Sequence, residues 1–396
     1  MTTIGVIGAG TMGSGIAIAL ANAGYRVVMV DTDAAALVRA AQYIAENYAA
    51  LQRKGRLDRA QIDARLECIR TDTAFSAVAQ CALVIEAVFE SLALKADVFA
   101  QLGATCARDT ILATNTSTLD VDAIAAAATR PERCAGMHFF SPAQIMKLVE
   151  VVRGRQTSDA TIESICALAR AIGKTPVVVA NADGFVGNRM LLGYRREAEF
   201  LVLSGAAPRE IDAALEQFGF ALGPFAVSDL AGLDIGVRAK HERAARGEAP
   251  PFELTRIPDK LVEAGRFGRK SGQGYYPYTG DRAGADDVFT SIVAGERTRL
   301  GVRPRAVSAE EIVERCVLAL INEGARILDA RIAASADDVD TIWRLGYGFP
   351  AARGGPMRYA ESIGFTEVAA RIELFAATDP AFWQLAPYIR QRANRV

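Results

Sequence analysis

Three groups of residues have the types and spacing to do chemistry. The first is Gly8-Ala9-Gly10-Thr11-Met12-Gly13, a G-x-G-x-x-G run that follows the apolar Ile4–Ile7 and opens a helix-like pattern. In such a run Gly8 makes a tight turn, Gly10 lets backbone approach a pyrophosphate, and Gly13 lets the helix pack close to the strand. The helix N-terminus then offers free N–H groups to the anion. Asp31 stands 18 residues after Gly13 at the end of a second apolar run. There it would accept hydrogen bonds from an adenosine ribose and repel a 2′-phosphate, so NAD is expected rather than NADP. The second group is His138, ending the apolar run Cys134–Met137, with Glu150 twelve positions later inside Leu148–Val152. A carboxylate in an apolar strand needs a partner. An imidazole can supply one, and the carboxylate then fixes its tautomer and supports its charge, as a general base for an alcohol requires. Spacing alone leaves open a core histidine and an unrelated edge glutamate. The third group, Asn115-Thr116-Ser117, follows another apolar run and reads equally as a polar site at a strand end or as a plain turn.

These residues must be held by a framework, and composition bounds what it is. The chain has 396 residues, 51% apolar and 23% charged, enough for two or three domains with buried cores. Its net charge of −1 argues against nucleic acid or an anionic membrane as the main partner. No apolar run approaches the roughly 20 residues of a bilayer span. The N-terminus carries no secretory pattern and Ala393-Asn394-Arg395-Val396 is no peroxisomal address, so a cytosolic protein is expected. The six cysteines (68, 81, 106, 134, 166 and 316) are scattered and read as reduced core thiols. With only two histidines, His138 and His241, no metal site is expected. His241 lies in the charged run Arg238–Arg243, where solvent exposure is expected. Arginine outnumbers lysine 38 to 7, which points to a bacterial source.

The first half alternates strand-like and helix-like segments. Strands are expected at Ile4–Gly8, Val27–Asp31, Leu83–Glu86, Ile111–Thr114, Cys134–His138, Leu148–Val152 and Pro176–Ala180. Helices are expected at Thr11–Ala23, Ala34–Ala49, Leu92–Thr105 and Val121–Ala128. The strands are too continuously apolar for a sheet with one wet face. A doubly wound α/β domain of the Rossmann type, with a parallel sheet covered on both faces, is expected over 1–183. Residues 34–70 are long for one crossover, and the Lys54-Gly55 break suggests an inserted helical hairpin. Beyond Asn181–Gly184 the strand signal fades. Helical blocks follow at 184–280 and 308–396, joined by a linker at 281–307 with a short helix at Val288–Arg299, and Arg238–Pro251 reads as a loop. The two blocks share a pattern: Glu197, Asp212, Gly219-Phe220 and Gly223-Pro224 in one, Glu323, Asp340, Gly348-Phe349 and Gly355-Pro356 in the other. An internal repeat is expected.

Several motifs together resemble the L-3-hydroxyacyl-CoA dehydrogenase family. They are Gly8–Gly13, Glu86-Ala87-Val88-Phe89-Glu90, Asn115-Thr116-Ser117, His138-Phe139-Phe140-Ser141-Pro142, Met146–Val151 and Gly184-Phe185-Val186-Gly187-Asn188-Arg189. Gly223-Pro224-Phe225, Asp229–Asp234 and Arg266–Gly272 extend the likeness. Arg344–Pro350 and Gly354-Gly355-Pro356 resemble the dehydrogenase half of multifunctional β-oxidation enzymes. The resemblance implies reversible NAD-dependent oxidation of an (S)-3-hydroxyacyl-CoA to a 3-oxoacyl-CoA, with NAD as the cofactor. It implies His138 as general base, Glu150 orienting it, and Ser117 and Asn188 holding the substrate's reacting oxygens. It further implies that Gly8–Gly13, Asp31, Glu90, Lys95, Asn115, Ser117, Ser141 and Lys270 lie near the cofactor, although Glu90, Lys95 and Lys270 could equally be solvated surface charges.

Ser141 stands where the monofunctional members carry Asn, and matches the multifunctional branch. The glycine motif begins at residue 8, so no hydratase domain and no hydration activity are expected from this chain. The second repeat could take the place of a partner subunit's helical domain, giving a monomer with an internal pseudo-dimer. Two other functions stay open: a dehydrogenase of free 3-hydroxy or sugar acids, for which no linear motif marks a CoA cleft (Arg53 and Lys54 are the residues to examine), and a non-catalytic NAD-binding protein.

Overall fold

A computed structural model describes residues 2–245, 247, 249–278 and 286–394. The chain forms two compact units, Met1–Asn188 with Ala330–Gly346, and Arg189–Asp329 with Tyr347–Val396. The first is built on eight strands: β1 (Thr3–Ile7), β2 (Arg26–Val30), β3 (Ile69–Asp72), β4 (Leu83–Glu86), β5 (Ile111–Thr114), β6 (Cys134–Phe139), β7 (Leu148–Arg153) and β8 (Thr175–Ala180). They lie in the order β3-β2-β1-β4-β5-β6-β7-β8. Helices α1 (Thr11–Asn22), α2 (Ala34–Arg53), α3 (Arg59–Glu67), α4 (Leu92–Thr105), α5 (Val121–Ala125) and α6 (Asp159–Ala171) cover the sheet. Residues of α1, α2 and α6, among them Ile16, Leu20, Leu37, Ile44 and Ile165, build the core on one face. Val98, Phe99 and Leu102 of α4 and Ile124 of α5 build it on the other. Strand order reverses at β1 and β4, and in such sheets ligands bind beyond the strand C-termini at that point.

Three features differ from the expectations. The sheet is mixed, because β7 runs antiparallel to β6. Residues 140–147 between them are too few for a helical crossover, so the chain can only turn back. Strand β3 sits at the edge as Ile69-Arg70-Thr71-Asp72, and its polar side chains hide it from an apolar-run reading. The expected loop at Arg238–Pro251 is helical as far as Ala245, within α10 (Leu233–Ala245). Its charges form a solvated helix face, with His241 65% exposed and 2.8 Å from Asp259. The hairpin in 34–70 is present as α2 and α3, each capped by an aspartate, Asp33 and Asp58.

The expected boundaries at 183, 280 and 307 do not coincide with the two units. The chain leaves the first at Asn188 and rejoins it over Ala330–Gly346. There Ile332 accepts a hydrogen bond from Ala180 N (2.8 Å), and Ala333 bridges Val179, covering the free edge of β8. Helix α14 (Ala336–Gly346) then lies on β7 and β8. Residues 279–285, where the first block was expected to end and the linker to begin, lie outside the described residues, as do Arg395 and Val396 of the C-terminal tetrapeptide. The linker's helix runs over α12 (Asp287–Leu300).

The second unit is helical. In chain order α7 (Gly187–Ser204), α8 (Pro208–Phe218), α9 (Pro224–Ala231), α10 and α11 (Ile257–Glu263) are matched by α13 (Ala309–Asp329), α14 of the first unit, α15 (Pro356–Ile363), α16 (Phe365–Ala376) and α17 (Pro387–Ala393). Positive φ recurs at Gly219 and Gly348, and at Gly232 and Gly364. Helix α8 packs against α13, so the two helical series interlock. A buried charge cluster ties the unit together: Glu197, 0% exposed, takes Arg196 on one oxygen and Arg315 (2.8 Å) on the other, and Arg196 also reaches Asp379. Glu197→Ala would strip two guanidiniums of a shared carboxylate. It is expected to cost about 3 kcal/mol, read as an earlier urea unfolding midpoint. An unchanged midpoint would show that the two arginines are satisfied without Glu197.

Candidate active site

The glycine run forms the turn from β1 into α1. Gly8 has φ +101°, and a Cβ there would lie 2.6 Å from the Ala87 carbonyl oxygen. A Cβ on Gly13 would lie 1.9 Å from the Gly8 carbonyl, so only glycine lets α1 start this close to the strand. Gly10 differs: nothing lies within 4 Å of its Cβ direction. It caps α1 with no side-chain hydrogen bond and no acidic residue in the first turn, while Thr11 is exposed and Met12 half-buried. The helix thus presents its N-terminal amides to an open space, which suits a pyrophosphate. Asp31, after β2, accepts from Ala9 N (2.8 Å) and Asp33 N (2.9 Å), which fixes its carboxylate against the glycine turn. These residues fit a dinucleotide.

Beside this turn, at the ends of β4 and β5, lies a buried charge relay. Glu86 is 0% exposed and accepts from Lys95 Nζ (2.8 Å), Val88 N (2.7 Å) and Thr114 Oγ1 (2.6 Å). Lys95 on α4 is also 0% exposed, and its ammonium lies 3.5 Å from Glu90 as well. Glu90 Oε1 in turn gathers Thr116 Oγ1 (2.6 Å), Ser117 N (2.7 Å) and Ser117 Oγ (3.0 Å). Burial disfavours the Glu90 charge, but the Lys95 ammonium and the Thr116 and Ser117 hydrogen bonds outweigh it and hold the carboxyl below its ordinary range. Ser117 O accepts from Asn188 Nδ2 (3.1 Å) at the start of α7, so Glu90, Ser117 and Asn188 form one bonded series.

His138 and Glu150 are register partners across β6 and β7. His138 Nδ1 lies 2.8 Å from Glu150 Oε2, with the residues 7% and 0% exposed. The other Glu150 oxygen accepts from Val186 N (3.3 Å) and Gly187 N (3.1 Å). Those amides come from the turn into α7, where Phe185 has φ +49°. Among the described residues Nε2 has no hydrogen-bond partner. Phe140 and Phe185 flank the ring, with centroids at 4.5 Å and 5.9 Å. Asn115 Oδ1 accepts from Phe139 N (2.8 Å), joining the end of β5 to the strand that carries His138.

The expected residues that bond one another therefore fall into three groups, around Asp31, Glu90 and Glu150. Ser141 is exposed just past β6. Lys270 lies in the helical unit, 2.6 Å from Asp234 and half exposed. Glu90 and Lys95 are not solvated surface charges, because each is held by buried partners. Glu86, Thr114, Phe140, Phe185, Val186 and Gly187 were not expected as site residues. Lys174 was not either. It is buried, donates to Ala143 O (2.6 Å) and Met146 O (2.7 Å), and so pins the loop after Ser141. Burial, aided by Lys147, pulls its pKa down to about 8.

Residues 3–182 match the family model for the 3-hydroxyacyl-CoA dehydrogenase NAD-binding domain, and 184–278 match that for the 3-hydroxyacyl-CoA dehydrogenase C-terminal domain. A solved 3-hydroxybutyryl-CoA dehydrogenase from Escherichia coli is 30% identical with a TM-score of 0.87, over 99% of this chain and 98% of that one. The chain belongs to the 3-hydroxyacyl-CoA dehydrogenase family. A second solved member, the (S)-3-hydroxybutyryl-CoA dehydrogenase from Ralstonia eutropha, is 36% identical with a TM-score of 0.67, over 71% of this chain and all of that one. The peroxisomal bifunctional enzyme of Danio rerio is 43% identical over 96% of this chain and 54% of its own length. The chain spans about half the length of the curated relatives it matches.

In this family member the charge relay makes a direct prediction. Lys95→Met leaves Glu86 buried without its cation, which costs about 3–5 kcal/mol. Glu86→Gln with Lys95→Met removes both charges and should recover most of the loss in denaturant unfolding. A double variant as unstable as Lys95→Met would show that packing, not charge, is what Lys95 contributes. The Glu90 contribution has the sign of a depressed carboxyl. It is fully present above the ordinary value of 4.5 and is lost as pH falls through the lower folded-state value.

Proposed function

We propose that this chain is an NAD-dependent (S)-3-hydroxyacyl-CoA dehydrogenase, interconverting 3-hydroxyacyl-CoA and 3-oxoacyl-CoA in fatty-acid β-oxidation or related acyl-CoA metabolism. The observation that carries the reading is the buried His138–Glu150 pair, which leaves one imidazole nitrogen without a hydrogen-bond partner among the described residues, in the same unit as a helix N-terminus open to a pyrophosphate. Bound NAD would supply the hydride acceptor in oxidation and, reduced, the donor in the reverse direction. His138 Nε2 takes the C3 hydroxyl proton, and Glu150 keeps Nδ1–H directed at itself and offsets the charge the ring gains. Asn188 and Ser117 hold the reacting oxygens, with Glu90 fixing Ser117. Gly8–Gly13 and Asp31 hold the dinucleotide, and Asn115 and Ser141 complete the cofactor surroundings within this unit. Lys95, fully enclosed, contributes through Glu90.

The proposed organisation is a monomer whose helical series form an internal pseudo-dimer, supported by the packing of α8 on α13. A cytosolic setting is supported by six free cysteines, five of them buried. No described helix is long and apolar enough to cross a membrane.

The test follows NADH consumption with acetoacetyl-CoA and longer 3-oxoacyl-CoAs, with the free acids as controls. Turnover on thioesters is expected, and turnover on free acids alone would overturn the substrate class. His138→Gln should lose about 10²–10⁴-fold in kcat while NADH binding persists. Retained turnover would remove His138 from its role. Asp31→Ser should narrow the preference for NADH over NADPH, and an unchanged preference would place discrimination elsewhere.

A further inference from the structure

Helix α14 belongs by sequence to the second helical series, yet it packs on β7 and β8 of the dinucleotide-binding unit. Its last residue, Gly346, has no room for a side chain. A Cβ there would lie 2.7 Å from Leu148 Cδ2 and 3.3 Å from Phe140 Cε1, the first shorter than real side chains tolerate. Both neighbours border the catalytic pair. Phe140 packs against His138 with ring centroids 4.5 Å apart and the ring planes tilted by 42°, and Leu148 is two residues before Glu150 on β7, on the same face of the strand.

Comparison with the first helical series isolates what this glycine is for. Helices α8 and α14 each have 11 residues, and Asp212 and Asp340 hold the same place in them. The last residue of α8 is Phe218, packed among Phe220, Phe349 and Tyr359. The last residue of α14 is glycine. Gly346 is not among the glycines with positive φ, a role that Gly348 fills two residues on, so the turn of the chain does not demand it. What demands it is the space taken by Leu148 and Phe140.

We propose that Gly346 is a positioning residue for the dehydrogenase reaction: it lets α14 close against Leu148 and Phe140, and through Phe140 fixes where the His138 ring is held. The second helical series thereby helps to set the geometry of a site whose reacting groups all lie elsewhere. The proposal rests on the reading of His138 as the general base.

Full-length variants test it. Gly346→Ala is compared with the wild type, with Leu148→Val, with the Gly346→Ala/Leu148→Val pair, and with Gly295→Ala, a control in α12 where nothing lies within 4 Å of the added methyl. Gly346→Ala is expected to lose about tenfold or more in kcat, since misplacement of a catalytic group by a fraction of an ångström is costly. The KM for NADH should stay unchanged. The chain has only two histidines, so the imidazole resonances of His138 and His241 can be told apart with His138→Gln. The His138 signal should move in Gly346→Ala while that of His241 stays. Leu148→Val removes the δ-carbon that a Cβ at 346 would strike, so the paired variant should regain most of the kcat relative to Leu148→Val alone, and Gly295→Ala should behave as wild type. Wild-type kcat with an unmoved His138 signal in Gly346→Ala overturns the proposal, as does a loss that Leu148→Val leaves in place. If the wild type turns over no thioester, the functional reading fails instead, and the His138 signal alone still decides the positioning claim.

Discussion

The site depends on a carboxylate that cannot be left alone. Glu150 is 0% exposed in the middle of an apolar strand, where an unpaired charge would cost several kcal/mol. It is satisfied on one side by His138 and on the other by the Val186 and Gly187 amides. Each half of that solution has structural consequences. The antiparallel turn from β6 to β7 places His138 directly across from Glu150. The turn into α7 must aim two N–H groups at the other oxygen, and this sets Asn188, one residue later, beside Ser117.

The same unit solves a second, similar problem with a different cation. Glu86 is as enclosed as Glu150, but its partner is Lys95. A lysine ammonium gives a standing charge, which here also steadies Glu90 and the Asn115–Ser117 turn. An imidazole can take up and release a proton near neutrality. Two buried carboxylates thus have different partners, one a fixed cation that steadies a scaffold and one a group able to change charge, as the proposed reaction requires. The distinction lies in the partner, not in the carboxylate.

Much of this is legible in the sequence, and the gaps have physical causes. Glycine spacing, an aspartate at a strand end and a glutamate inside an apolar run are local signals, and the glycine turn, Asp31 and the His138–Glu150 pair are found from them. Glu86 carries the same signal, an acid closing the apolar run Leu83–Ile85, and a buried-charge argument applied evenly would mark it too. Strand β3 is hidden because an edge strand can be polar, and α10 because its charges resemble a loop's. The approach of Gly346 to Phe140 has no linear signature, since the two residues meet only when a helix from the end of the chain closes on the sheet. A glycine that makes room within a local motif, as Gly13 does, leaves a mark in sequence, whereas one that makes room for residues distant in the chain does not.

The central claim is that Glu150 works through His138 and has no separate contact with the reaction. A double-mutant cycle on kcat/KM with acetoacetyl-CoA measures this directly, using Glu150→Gln, His138→Gln and the two together. The account predicts a large loss for Glu150→Gln in the wild-type background and almost none when it is added to His138→Gln. Losses that multiply in the double variant would show that the two residues act independently, and would contradict it.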